Sequence, residues 1–266
     1  MPTMAQQNLI DGIFQVLKAD TRVQAAWLSG SLGRGEGDEY SDVDVLVLVA
    51  DGMLAETARA YVENPNAIAE AVLISPLFGG MVVNVVTVDW QRFDLSFVDS
   101  KNLARFDERH LKALFNKTGL QSPLHPQTAH RPSPEAIAAL INEFLRVLGL
   151  LTVIVGRDER INAFTGIGHL RRLTIDLMLE DNGLSPADRG GALHLNRLLT
   201  LDQRRELEAI PPLSADRESI VAVHIALAKI FLPRARRIAS ARGVIWPDAF
   251  EAATRAHLRR NLTLEI

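Results

Sequence analysis

The sequence predicts an α+β chain whose sheet lies in the first half and whose second half is a bundle of helices. Three observations carry this. Residues up to 120 interleave β-branched runs with amphipathic segments, residues 120–134 hold four prolines with almost no apolar periodicity, and residues 135–266 repeat apolar side chains at helical spacing. The expected organisation is a sheet-bearing domain over 1–120, a proline-rich linker over 121–134 and a helical domain over 135–266.

Residues 5–18 place Leu9, Ile10, Ile13, Phe14 and Leu17 on one helical stripe, which should pack on the sheet. Strands are expected over 23–29 and 43–49, with a helix over 53–63 between the second of these and a hairpin. The hairpin joins Val72-Leu73-Ile74 to the β-branched run at 81–87 across Phe78-Gly79-Gly80. Asp89-Trp90-Gln91 then reads as a turn, and residues 92–98 alternate once more. A short helix over 102–110 and an edge strand over 111–115 complete the first half. Ser133 is a natural N-cap, with Pro134 at the first helical position and Glu135 in the first turn, and opens a helix to about residue 155. Further helices are expected over 163–179, 186–199, 202–208, 215–241 and 247–260. The uncharged apolar run within 145–155 is too short to span a bilayer, which takes roughly 20 apolar residues, and reads as a buried helix.

The chemistry concentrates in Ser41-Asp42-Val43-Asp44-Val45, ten residues beyond the Gly30-Ser31 pair that ends the apolar run Ala25-Ala26-Trp27-Leu28. Side chains alternate faces along a strand, so Asp42 and Asp44 project together while Val43, Val45, Val47 and Val49 enter a core. Two like charges so close call for a cation, and Mg²⁺ held by one or two carboxylates and completed by water and substrate phosphates answers that need. Gly30 lets backbone approach a triphosphate, the Ser31 hydroxyl and the amides after it can donate to phosphate oxygens, and Arg34 is a planar, permanently charged candidate clamp. A glycine-rich turn after a strand is ordinarily only a turn, and Asp-x-Asp is common on exposed strands. Their order, with a third carboxylate further along the chain, is what points to chemistry. In Arg92-Phe93-Asp94-Leu95-Ser96-Phe97-Val98 the core face takes Phe93, Leu95 and Phe97 and leaves Asp94 opposite, which makes Asp94 the third carboxylate. Asp89 and Asp99 lie at strand ends, where solvated aspartates are ordinary; Asp89 is the alternative third member.

These residues resemble the nucleotidyltransferase superfamily of DNA polymerase beta type, and Gly30-Ser31-Leu32-Gly33-Arg34-Gly35 through Ser41-Asp42-Val43-Asp44 is similar to its small-molecule branch, the aminoglycoside and lincosamide nucleotidyltransferases. The match is specific over residues 23 to 99. The resemblance implies a mixed sheet flanked by helices with an α-helical, acceptor-binding domain behind it. It also implies one or two Mg²⁺ ions on Asp42, Asp44 and Asp94, with Asp94 a metal ligand, a general base or both. Gly30 and Ser31 would hold the triphosphate, with Arg34 and Ser41 as nucleotide contacts. The activity it implies is transfer of a nucleoside monophosphate, AMP from ATP in the first instance, to a hydroxyl of a small molecule with release of pyrophosphate. Such an acceptor is an antibiotic in the resistance enzymes of that branch.

Composition bounds the rest. The 266 residues are 47% hydrophobic and 23% charged, ordinary for a globular protein of two modest domains. There is no cysteine, so no disulfide, thiol nucleophile or cysteine zinc site can be invoked. Residues 1–7 show no basic region followed by an apolar core, so the expected location is the cytoplasm, with no membrane partner. The formal charge of −3 divides into an acidic first half and a mildly basic second half. Neither half has the basic excess of a nucleic-acid binder, and the second offers no acidic cradle for a polycation, which favours a less charged acceptor and weak salt dependence. Homodimer formation is left open. In the helical half, Arg157-Asp158-Glu159-Arg160 reads as an inter-helix turn, His169 as an interhelical hydrogen bond, and Arg234, Arg236 and Arg237 as an exposed face. His125 and His130 lack a third ligand for zinc. Two rival readings remain: the same chemistry on a protein side chain or RNA end, and a nucleotide sensor without catalysis, for which three carboxylates would serve no purpose.

Overall fold

The computed structural model describes residues 2–125, 130–184, 189 and 194–266. The chain divides into two compact units, Met1–Gln127 and Thr128–Ile266.

The first unit is built on a six-stranded mixed sheet. Its strands are β1 (Val23–Leu28), β2 (Val43–Val49), β3 (Ala71–Leu77), β4 (Val82–Thr87), β5 (Arg92–Val98) and β6 (Lys112–Asn116), in the spatial order β3-β4-β5-β2-β1-β6. The β2–β5 pair is parallel and the other four pairs are antiparallel. Alternation decides what each face does. One face carries Val43, Val45, Val47, Val49, Phe93, Leu95 and Phe97 into a core closed by helices α1 (Met4–Ala19) and α3 (Leu54–Glu63). On the other face Trp27, Leu46, Leu48 and Val98 form a smaller core with Leu103, which lies on a four-residue helix after β5. That smaller core covers only the far part of β2 and β5. Their beginnings, where the aspartates stand, are left at intermediate exposure.

Helix α1 begins with the Thr3/Gln6 capping box, which satisfies two first-turn donors reciprocally. Two expectations are refined here. The glycine-rich stretch after β1, read from the sequence as a turn, is a four-residue helical turn, α2 (Gly30–Gly33). The helix expected over 102–110 resolves into α4 (Ser100–Leu103), capped by Asp99, and a 3₁₀ turn, Glu108–His110, capped by Asp107. Asp99 thus has a local structural partner in the Asn102 amide.

The second unit is helical: α5 (Pro134–Gly149), α6 (Leu151–Gly156), α7 (Arg160–Asp181), α8 (Leu195–Leu198), α9 (Leu201–Glu208), α10 (Arg217–Arg242) and α11 (Asp248–Leu262). Ser133 caps α5 through the Ala136 amide, 3.0 Å away. Ile137, Ile141, Phe144, Leu145 and Leu148 of α5 pack against α7 and α10, and the Phe144 and Phe231 rings stack at 3.8 Å. By length and composition alone the helical stretch Pro134–Gly156 would suffice to cross a membrane, although the uncharged run within 145–155 is only part of it. Its most apolar stripe is used within the unit's own core. Half of the helix expected over 186–199 lies outside the described residues, and α8 falls within the described remainder.

Polar side chains of this unit are largely committed to one another. His169 Nε2 lies 2.9 Å from Glu143 Oε1, joining α7 to α5. His130 Nε2 lies 3.0 Å from Glu180 Oε2. Arg160 binds Asp158 within the turn before α7. Arg234 reaches Asp181 and Glu206, Arg237 reaches Asp181, and Arg236 pairs with Glu251 while lying over the Trp246 ring.

Candidate active site

Parallel pairing of β2 and β5 sets Val43 beside Phe93 and Asp44 directly beside Asp94. Asp42 immediately precedes β2. Burial alternates through the segment, with Val43 and Val45 buried and Asp42 and Asp44 partly exposed. A hairpin could not have brought Asp44 and Asp94 together in this way. It takes a crossover that starts both strands at the same sheet edge.

Burial is the largest influence on Asp44 and, with the charges of Asp42 and Asp94, pushes its carboxyl up to about 6, against the smaller opposing effect of Arg34 and Arg92. Asp94 is also raised, first by burial and then by Asp42, while a hydrogen bond from Asn84 and the charge of Arg92 oppose the shift. The three carboxylates therefore feel one another. Asp89 stands apart from them, exposed in the tight turn between β4 and β5, and it shares no register position with Asp44.

Gly30 opens α2 at φ +55°, and a Cβ placed there would lie 1.8 Å from Asp44 Oδ2. The backbone thus approaches the Asp44 carboxylate itself, and the Ser29 amide donates to the Asp44 carbonyl at 2.8 Å. Ser29 is the N-cap but makes no side-chain cap bond. The amides of Ser31 and Leu32 belong to a first turn, which has no intrahelical acceptor for them. Ser31 is buried within this turn.

Arg34 and Ser41 are occupied otherwise than the sequence suggests. Arg34 Nε donates to Glu36 Oε2 at 3.0 Å, and the side chain lines a concavity with Leu28, Leu32, Leu111 and Lys112 in which none of the three aspartates takes part. Ser41 Oγ closes a small loop, accepting from the Asp38 amide and donating to Asp38 Oδ1, both at 3.0 Å.

Three residues not singled out in the sequence shape the site. Arg92 lies on the Asp94 face of β5, with Nη1 4.0 Å from Asp42 Oδ2 and Nη2 donating to the Tyr40 carbonyl at 3.1 Å. Asn84 stands opposite Asp94 on β4. Gln6, buried in α1, donates from Nε2 to the carbonyls of Asp38 at 2.9 Å and Ser41 at 2.7 Å, tying down the residue before Asp42. Two-residue spacing from Asp94 could have flagged Arg92, and a lone amide in a β-branched run could have flagged Asn84. The reach of Gln6 to residues 38 and 41 has no local signal.

Among the described residues no three carboxylate or imidazole groups converge into a ready-made metal cage. The donors nevertheless fit Mg²⁺. The ion is usually held by one or two carboxylates with phosphates and water completing its shell, and Asp42 and Asp44 supply hard oxygens on one face beside an uncapped helical turn.

A mixed sheet that presents coupled strand carboxylates beside a glycine-led helical turn has the architecture of a nucleotidyltransferase. The streptomycin adenylyltransferase family model matches residues 3–261, and the chain belongs to that family. It is accordingly a nucleotidyltransferase enzyme. Among solved structures it is similar to an aminoglycoside 6-adenyltransferase from Bacillus subtilis, with 14% identity, 96% of this chain and 98% of that chain covered, and a TM-score of 0.47. A nucleotidyltransferase-like protein from Exiguobacterium sibiricum shows 15% identity, coverage of 97% and 88%, and a TM-score of 0.38. No curated protein matches the chain.

Proposed function

We propose that the protein transfers AMP from Mg·ATP to a hydroxyl of an aminoglycoside antibiotic, releasing pyrophosphate and inactivating the drug. The observation that carries this reading is the in-register Asp44/Asp94 pair with Asp42 on the same face, set against the Gly30 turn. Asp42 and Asp44 would hold the metal. When bound, it supplies charge neutralisation on the triphosphate and the departing pyrophosphate. The turn at Gly30 and Ser31 would position the phosphates through its first-turn amides. Asp94 would accept the acceptor's hydroxyl proton as that oxygen attacks the α-phosphorus and the bond to the bridging oxygen breaks. The helical unit is the proposed acceptor-binding part, and the cytoplasm, where ATP is found, the proposed location.

Family membership moves the acceptor away from the weakly charged molecule that charge balance favours, because the family is described by streptomycin, a polycation. The pure protein incubated with Mg²⁺, each labelled nucleoside triphosphate and a panel of aminoglycosides, lincosamides, RNA and protein should release pyrophosphate with ATP and an aminoglycoside. Release only with RNA or protein would sink the proposal. The aminoglycoside KM should climb steeply from low to high salt, as expected where a polycation is recognised through charge. A flat profile would return the acceptor to the less charged class.

Asp94→Ala is expected to lower kcat by about 10² to 10⁴, the usual cost of losing a general base, with smaller change in ATP binding. Asp89→Ala should remain active. The reverse pattern would move the third carboxylate to the hairpin turn.

A further inference from the structure

We propose that Arg92 is the side chain that binds the α-phosphoryl group during its transfer, a closer cationic contact than the phosphate clamp the sequence suggests in Arg34. The inference rests on the nucleotidyl-transfer reading above and assigns a further residue to it.

Placement is the first ground. Arg92 and Asp94 share a face of β5, and the pairing of Val43 with Phe93 puts Asp42 level with Arg92. The guanidinium lies 4.0 Å from Asp42 Oδ2, too far for a hydrogen bond, while one nitrogen donates to the Tyr40 carbonyl. A guanidinium has five donors in a rigid fork, and the side chain is 37% exposed, so donors remain for a ligand. Arg34 also acts on Asp44 through its charge, but its Nε is bound to Glu36 and it lines a concavity in which none of the three aspartates takes part.

Proximity to the carboxylates is the second ground. Asp42 and Asp44 are the residues that would hold a metal with the triphosphate, and a phosphate oxygen drawn to Asp42 comes within reach of Arg92, whose Nη1 lies 4.0 Å from Asp42 Oδ2. Which phosphate it is depends on the order of the strands. The α2 turn comes after β1, on one side of β2, whereas Arg92 and Asp94 lie on β5, on the other. If the outer phosphates rest on the turn and the acceptor meets Asp94, the phosphoryl group between them is the one facing Arg92. Negative charge on its oxygens is redistributed as the bond to pyrophosphate breaks, and a fixed guanidinium is suited to stabilise it.

The test compares wild type, Arg92→Gln and Arg92→Lys by calorimetric titration with Mg·ATP and with Mg·pyrophosphate, and by steady-state kinetics. Arg92→Gln should weaken ATP about 10- to 100-fold, the range for a lost charged hydrogen bond, and leave pyrophosphate unchanged. Its kcat should fall about 10²- to 10³-fold. Arg92→Lys, which keeps the charge and loses the fork, should fall between. Equal weakening of both ligands would show that Arg92 only tethers the Tyr40–Asp42 segment and would overturn the proposal, as would undiminished ATP binding. Failure of the wild type to bind Mg·ATP would remove the nucleotidyl-transfer reading itself.

Discussion

Asp44→Asn should abolish nucleotidyl transfer and, at the same time, make the metal-free protein more stable at neutral pH. The sign comes from the proton affinity of Asp44. Its carboxyl titrates at about 6 in the folded protein, against an ordinary value of 3.8. Between those values the folded chain holds a proton that the unfolded chain has released, so stability falls as pH rises through the window from about 4 to 6. Above it the penalty is complete, on the order of 3 kcal/mol at 1.36 kcal/mol per pH unit. The asparagine variant escapes that penalty. Metal-free melting curves should therefore show a higher Tm for Asp44→Asn at pH 8 and no advantage at pH 4. Asp42→Asn should be equally inactive and gain less stability, since its charge is only one contributor to the shift. Near wild-type turnover of either variant with Mg·ATP and acceptor would falsify the metal assignment.

Gly30→Ala should disable the enzyme almost as severely, by a steric route. The substitution forces a Cβ onto a residue at φ +55°, where a non-glycine side chain costs about 1–2 kcal/mol. It also places that Cβ 1.8 Å from Asp44 Oδ2, so the carboxylate must swing away or the turn must shift. A displacement of about 1 Å at a reacting centre can cost about 10²-fold in rate. Gly35 is the control. It has φ +75° but no atom within 4 Å of its would-be Cβ, so Gly35→Ala should carry the backbone cost alone and keep turnover within a few fold. Comparable losses in the two variants would mean that the contact with Asp44 is unimportant.

Those two glycines show where the sequence could be read and where it could not. That Asp42, Asp44 and Asp94 lie opposite apolar core positions was legible because side chains alternate strictly along a strand, with Val43 and Val45 flanking Asp44 and Phe93 and Leu95 flanking Asp94. Only tertiary structure could show that Asp94 falls level with Asp44, since register across a crossover has no local determinant. The glycine-rich stretch was legible as a special backbone, but its four-residue helical form and its closeness to Asp44 were not. Arg34 illustrates the limit of reading charge from order: Glu36, two residues on, takes its guanidinium, and Arg92, which lies beside the carboxylates, comes from a distant strand. Ser41 sits next to Asp42 in sequence yet turns its hydroxyl to Asp38. In the helical half the periodicity defined the elements well, and the arginine–carboxylate pairings that occupy its polar faces were beyond it.

The parallel pairing of β2 with β5 also bears on how the chain reaches its native state. Between these strands run α3, β3 and β4, so their zipping closes a long loop whose entropic cost precedes any reward. The same event gathers the three carboxylates, whose charges oppose one another when ionised. On the proposed reading, a divalent ion that bound only after this pairing would act as a folding ligand as well as a catalytic one, drawing the equilibrium toward the paired state by mass action. Loss of the ion would then loosen the centre of the sheet before its antiparallel margins.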